Sequence, residues 1–329
     1  MAEKKPEKIT YTTKRAPPSS TLNSFKKEKP KSNVSIDIKQ EKNMGNVGDD
    51  PLVPDNYPEV PKLDPFDVNA ESNKLPESFF IICEGSRRVG KSIFLKWLLY
   101  FYRDLFDLVI VMSETPHNGF WQPIVSNQYV HNGWNPSLVE KLLNDQVQEK
   151  EKSDKSEGRY KMRRVLIILD DIVGDRRHIH EDTMLNRLSV QGRHFGISIC
   201  LTTQEPHAIG TALRNNCDMA VIFQQKSERA KKSVCNDFLN FKLDFEWQAR
   251  DLLKTYTNNH DAVLVKMYIL DNEIHHTYQY VPEKMTFDSV KEKVLVPDYQ
   301  LGSKEQRALA KSKQGSKPLY DLNQNIIID

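Results

Sequence analysis

The sequence predicts an α/β domain built around a mostly parallel, buried sheet, and three features carry that reading. Short apolar runs alternate with longer amphipathic ones across residues 79–225, the pattern of βα units whose strands are covered on both faces. A glycine-bearing turn, Gly85-Ser86-Arg87-Arg88-Val89-Gly90-Lys91-Ser92, lies between the first apolar run and the helix that follows it. A later run, Val165 to Leu169, ends in the paired acids Asp170 and Asp171.

Taken along the chain, residues 1–45 hold 11 Lys/Arg against 5 acids, and prolines recur at 51, 54, 58, 61, 65 and 76. Such a stretch buries too little apolar surface to offset its chain entropy, so residues 1–76 are expected to be a disordered, basic, proline-rich tail. Folding is expected to start near Ser78. Five runs read as strands: Phe79–Cys83, Leu108–Met112, Val165–Leu169, Ile197–Thr202 and Met219–Phe223. The segment Lys91 to Arg103 is apolar on most faces, as a helix packed against a sheet must be. Residues 145–164 are charge-dense without an apolar stripe and read as a solvated helix end and loop. Ala262–Leu270 and His275–Val281, joined at Asp271-Asn272-Glu273, read as an antiparallel hairpin on the sheet edge. The expected organisation is a nucleotide-binding domain over 77–287 and a polar C-terminal tail over 288–329.

Composition narrows the function. In 329 residues, 47 Lys+Arg oppose 45 Asp+Glu for a net charge of +2, which excludes a histone-like polycation but leaves room for local basic surfaces. The mean hydropathy of −0.61 agrees with polar tails around a smaller core. Cys83, Cys200, Cys217 and Cys235 form no C-x-x-C pair, so a zinc ribbon or disulfide framework is not indicated and a reducing compartment is expected. No run of 18 apolar residues exists and the N-terminus has no apolar leader segment; a soluble, intracellular protein without a transmembrane segment is therefore expected.

The turn at Gly85 is a full G-x-x-x-x-G-K-S in the strand-turn-helix setting the motif needs. Its glycines let the backbone approach a β-phosphate with N–H groups turned inward, and the helix starting at Lys91 adds its positive N-terminal end. Residues 85–92 are thus the candidate nucleotide-binding loop, with Lys91 bridging β- and γ-phosphates and the Ser92 hydroxyl on Mg²⁺. ATP and Mg²⁺ are the expected ligands. Asp170 is the candidate to hold the metal through its water shell, and Asp171 to orient the attacking water. Neighbouring strand residues point to opposite faces, so Asp171 can serve only if the strand ends there and the backbone turns.

The order of strands separates the classes that share this loop. A polar residue on a strand lying between the loop strand and the acidic strand marks the additional-strand ATPases. The run ISICLTTQ supplies one, Gln204, which can sense the γ-phosphate or hold the water. The expected order of the five strands is 5-1-4-3-2. Glu114, after the second strand, is the other acid able to orient water. In that order it stands three steps from the loop strand, roughly 14 Å, and Asp171 is preferred. Arg193, in Gln191-Gly192-Arg193-His194-Phe195-Gly196 before the fourth strand, projects from the sheet rim and suits an arginine finger offered to a neighbouring subunit; Arg187 is the second choice.

Together these residues resemble the FtsK/HerA superfamily of DNA-pumping ATPases, and within it the poxvirus-type genome-packaging ATPases of large DNA viruses and their virophage and transposon relatives. The carriers are GSRRVGKS, LIILDD, the segment from Arg187 through Gly192-Arg193-His194 to Ser198, and the terminal Gln204 of LTTQ, all within residues 79–225. The resemblance implies a RecA/FtsK-like P-loop fold, with Lys91 and Ser92 on phosphate and Mg²⁺, Asp170 and Asp171 on metal and water, Arg193 as finger and Gln204 as sensor. It also implies a hexameric ring that threads double-stranded DNA into a preformed capsid, with capsid or portal proteins as partners, in a host-cell viral factory or the virion. Many members of the superfamily carry Asp-Glu where this chain has Asp170-Asp171.

Candidate DNA contacts are Arg176 and Arg177 after the acidic strand, and Lys226, Arg229, Lys231 and Lys232 after the fifth strand. Clustered cations of this kind bind phosphate without reading sequence. His178 and His180 have no further ligand at zinc spacing. Two other functions use the same loop: a virion-morphogenesis ATPase acting on protein partners, and a nucleotide kinase.

Overall fold

The structure is a computed structural model, and it describes residues 59–172, 182–243, 246–269, 276–282 and 299–311. In chain order its elements are β1 (Asp64–Pro65), β2 (Phe80–Glu84), α1 (Lys91–Phe101), β3 (Leu108–Ser113), β4 (Val130–Asn132) and α2 (Pro136–Lys155). There follow β5 (Val165–Asp170), α3 (Thr183–Gln191), β6 (Ile197–Thr203), α4 (Thr211–Asn215), β7 (Met219–Phe223) and α5 (Glu228–Val234). The last described elements are α6 (Glu246–Tyr256), β8 (Ala262–Lys266), β9 (Thr277–Tyr280) and α7 (Lys304–Lys311).

The strands form one sheet in the order β1-β9-β8-β7-β2-β6-β5-β3-β4. Its centre, β7-β2-β6-β5-β3, is the expected 5-1-4-3-2 arrangement, and every pairing within it is parallel. Alternate residues of each strand face opposite sides, and each side has its own core. Ile82, Ile110, Ile167, Ile199 and Ile222 meet α2 to α6 through Leu142, Leu185, Leu213, Val234 and Leu252. Ile81, Val109, Ile168 and Val221 meet α1 through Phe94, Leu95 and Leu98. Helix starts are locally encoded: the side chains of Asn135, Asp182 and Ser227 accept from the amides of Leu138, Leu185 and Ala230, as capping residues do.

The hairpin is antiparallel as expected but does not form the sheet edge. β8 lies between β7 and β9, and β1 adds outside β9 in parallel register, with Asp64 beside Tyr278. The proline-rich lead-in therefore contributes to packing before Ser78: Leu63, Phe66 and Val68 are buried, and Pro65 is tolerated because an outermost strand does not need its missing N–H. The connection 271–275 lies outside the described residues. The charge-dense stretch from 145 is helical through Lys155, its outer face laced by pairs such as Lys150–Asp154.

At the other end of the sheet β4 pairs only with Val111 to Ser113. The start of β3 is completed by a side chain: Gln306 of α7 accepts from the Val109 amide at 3.0 Å and donates to its carbonyl at 2.6 Å. Tyr299 and Leu301, in the region read from sequence as polar tail, are buried.

Candidate nucleotide-binding site

Parallel strands direct their C-terminal ends to one rim of the sheet, and the phosphate loop, Asp170, Asp171 and Gln204 gather there. The loop after β2 is pinned from both neighbours: the Gly85 amide donates to the Thr203 carbonyl of β6 at 3.2 Å and the Ser86 amide to the Gln224 carbonyl at 3.0 Å. Ser86 Oγ accepts the Lys226 amide at 3.0 Å, which ties the loop to the basic segment after β7. Gly85 has no room for a side chain, since a Cβ there would lie 2.6 Å from Phe223 Cβ. Gly90, with φ +104°, has the left-handed backbone that favours glycine. Arg87 and Arg88 are exposed on the loop, and Val89 is buried under it.

Lys91 is buried and donates to the carbonyls of Gly85 at 2.8 Å and Ser86 at 3.0 Å, which hold the ammonium inside the loop. Burial pushes its pKa down, while Asp171, Cys83 and Asp170 pull it up. Strand alternation explains its neighbours. In β5, Leu166 and Ile168 face α1, so Asp170 does too. There Asp170 Oδ1 accepts from the Ser92 hydroxyl at 3.0 Å and the Thr202 hydroxyl at 2.8 Å, and Oδ2 accepts from the Trp121 indole at 2.8 Å.

By the same alternation Asp171 would face away. Instead it follows the end of β5 with φ +55°, a left-handed turn. Its amide donates to Thr202 Oγ1 at 3.0 Å, and Gln204 donates its amide to Asp171 Oδ2. Burial raises the pKa of the Asp171 carboxyl from its ordinary value, against the lowering effect of Gln204 and Lys91. Gln204 follows β6, the strand lying between β2 and β5. Thr202 and Trp121 were not singled out from the sequence. Thr202 carried a signal, since it sits two residues before Gln204 and in register with Asp170; Trp121 lies in an irregular connection and carried none.

Arg193 sits in the turn Gly192–Phe195 that precedes β6, exposed and at the opposite rim. A strand of 7 residues separates it from the Gln204 end by about 23 Å, so it does not join this cluster; its charge is felt instead by Asp218. Glu114 is exposed just beyond β3. Lys226, Arg229, Lys231 and Lys232 flank a cleft of about 480 Å³ or its adjoining helix, the cleft being lined by Ser86, Gln204, Gln225, Lys226 and Arg229 among others. Lys231 pairs with Glu228, and Arg229 donates to His207. Arg176, Arg177, His178 and His180 lie outside the described residues. No helix among the described residues is long and apolar enough to cross a membrane.

A phosphate loop, an acidic strand and a polar residue on the strand between them define a P-loop ATPase of the additional-strand class. The chain belongs to the poxvirus A32 protein family, whose model matches residues 68–305. It is 24% identical over 240 residues to the protein 075L of Invertebrate iridescent virus 6, covering 69% of this chain and 88% of that one. It is 22% identical over 198 residues to the protein L437 of Acanthamoeba polyphaga mimivirus, covering 59% and 68%. Among solved structures it is similar to B204, the DNA-packaging ATPase of Sulfolobus turreted icosahedral virus, with a TM-score of 0.45 at 13% identity over 63% of this chain and 98% of that one.

Proposed function

We propose that this chain is an ATP-driven motor that moves double-stranded DNA during viral genome packaging. Membership of the poxvirus A32 family supports the packaging role. The observation that carries the motor reading is the linkage at Ser86: one loop residue is bonded both to Gln224 and to Lys226, so a change in the phosphate loop is felt directly by the basic segment after β7.

Lys91 is placed to neutralise β- and γ-phosphate oxygens, and the inward amides of residues 85–92 to cradle them. The Ser92 hydroxyl and Asp170, already bonded at 3.0 Å, fit the donor set of a magnesium site and would hold Mg²⁺, which neutralises charge on the transferred phosphoryl group. Asp171, turned toward the loop and held by Gln204, orients the attacking water and accepts its proton. Gln204, bonded to that acid, registers whether a γ-phosphate is present. Arg193, exposed at the far rim, would meet a nucleotide only across a subunit boundary, so its reading as a finger goes together with a homo-oligomeric ring. Lys226 and Arg229 provide DNA backbone contacts without base readout, as a motor that must release every base pair requires.

The test is steady-state ATP hydrolysis with and without long linear duplex DNA, on wild type, Lys91→Ala and the double variant Lys226→Ala/Arg229→Ala. The expected result is stimulation by DNA that weakens with salt, is abolished with Lys91→Ala and is diminished in the double variant. A Lys91-dependent rate indifferent to DNA overturns the motor reading.

A further inference from the structure

We propose that Trp121 is a positioning residue for the metal site: its indole N–H locks the Asp170 carboxylate so that Oδ1 stays turned toward the Ser92 hydroxyl. The inference rests on the reading of Asp170 and Ser92 as the Mg²⁺ site.

A carboxylate turns freely about its last bond unless its oxygens are held from different directions. Asp170 is held on both. Two hydroxyls, Ser92 at 3.0 Å and Thr202 at 2.8 Å, donate to Oδ1, and the Trp121 indole donates to Oδ2 at 2.8 Å. An indole N–H can only donate, so it can neither take the metal nor exchange roles with the carboxylate. It assigns Oδ2 to itself and leaves Oδ1 for the metal side. Trp121 is 1% exposed. It has itself been fixed in place: its carbonyl accepts the amides of Ile124 at 3.0 Å and Val125 at 2.9 Å.

The anchor for this turn comes from the helix that carries Ser92. Lys96 lies one turn after Ser92 on α1, on the same helix face. Its ammonium donates to the Phe120 carbonyl and sits 3.6 Å from the centre of the Phe120 ring and 5.8 Å from that of Trp121. The circuit therefore closes on itself: Lys96 to the Phe120–Trp121 turn, Trp121 to Asp170, Asp170 to Ser92, and Ser92 back along α1 to Lys96. A phenylalanine at 121 would fill much of the same space, so packing alone does not account for a donor aimed at Oδ2. The circuit ties the helix that carries Ser92 to the strand that carries Asp170, the two residues that would hold the metal.

The test measures binding of Mn²⁺ in the presence of ADP, by electron paramagnetic resonance, on wild type, Trp121→Phe and Asp170→Ala. In parallel, the indole ¹H–¹⁵N resonance of Trp121 in wild type, assigned through its loss in Trp121→Phe, is followed as Mg²⁺ and ADP are added. The expected result is a roughly tenfold weakening of Mn²⁺ binding in Trp121→Phe, with metal-free ADP binding unchanged, a larger loss in Asp170→Ala, and a shift of the Trp121 indole signal with Mg²⁺·ADP. Wild-type Mn²⁺ binding by Trp121→Phe, with Asp170→Ala deficient, overturns the role of Trp121 and leaves the metal site standing. If neither variant loses Mn²⁺, the metal-site reading itself fails. Should Trp121→Phe not fold, the wild-type spectrum decides, and an indole signal indifferent to Mg²⁺·ADP overturns the proposal.

Discussion

The Thr202 hydroxyl donates to Asp170 Oδ1 at 2.8 Å while accepting the backbone N–H of Asp171 at 3.0 Å, so one side chain on the strand between loop and acids holds both the Asp170 carboxylate and the start of the turn at Asp171. Thr202→Val keeps the shape and removes both bonds. We expect kcat for ATP to fall about 10- to 100-fold, with a smaller change in KM, and Thr202→Ser to recover most of the loss. A kcat for Thr202→Val within twofold of wild type refutes the bridging role.

Asp171→Asn tests the proton-accepting role. Asparagine tolerates the left-handed backbone at φ +55° and can keep a bond to Gln204, so ADP binding is expected to be retained. Loss of the base is expected to lower kcat by about 10²- to 10⁴-fold. Parallel calorimetry and turnover measurements check both halves of that expectation.

The sheet and the acidic site differ in how plainly the chain announces them. Runs such as Val165–Leu169 are apolar throughout because helices cover both faces, and that signal survives without any partner in view. The order of the central strands followed from where Gln204 falls relative to the glycine loop. Pro65 worked in the other direction: proline argues against a strand except at an outermost position, and that position was visible only once β9 had been placed beside it. Trp121 reaches Asp170 across 49 residues of chain, and no local periodicity reports such a contact. Gln306 is similar, one polar residue in a polar segment that acts as a strand only because β4 is short.

Gly85→Ala is expected to damage the loop without touching a charged group. The added Cβ would lie 2.6 Å from Phe223 Cβ and 2.9 Å from Val89 Cγ2; Phe223 Cβ cannot retreat because it belongs to β7. A loss of about 1–3 kcal/mol in stability with weakened nucleotide binding is the expected outcome, read by denaturant unfolding and ADP titration.

Glu84 offers a pH test. It ends β2 on the face away from α1, 1% exposed, and neither carboxylate oxygen has a hydrogen-bond partner among the described residues. Burial, helped by Asp237 and opposed by Arg214, raises its pKa from 4.5 to about 8. Between those values the folded chain keeps a proton that the unfolded chain has released, so this group costs stability as pH rises from 4.5 to about 8. Glu84→Gln removes the dependence. Its melting temperature is expected to overtake that of wild type progressively across that window, by on the order of 5 °C at the upper end; parallel pH profiles for the two proteins contradict the assignment.

The shared-site reading of Arg193 predicts complementation. Arg193→Ala and Asp171→Asn are each expected to be nearly inactive alone, yet a mixture should regain activity wherever an intact finger meets an intact base. Mixed preparations no more active than the average of the two components would show that Arg193 does not act across a subunit boundary.

Gln306 completes the edge of β3 from 197 residues away. During synthesis the first half of that strand therefore stays open on one side until the segment near residue 306 has left the ribosome. An unfinished chain presents the free amide and carbonyl of Val109 to any extended peptide nearby, a template for edge-to-edge aggregation. The first turn of α7 thus closes the open side of β3 only after every described strand has already been made.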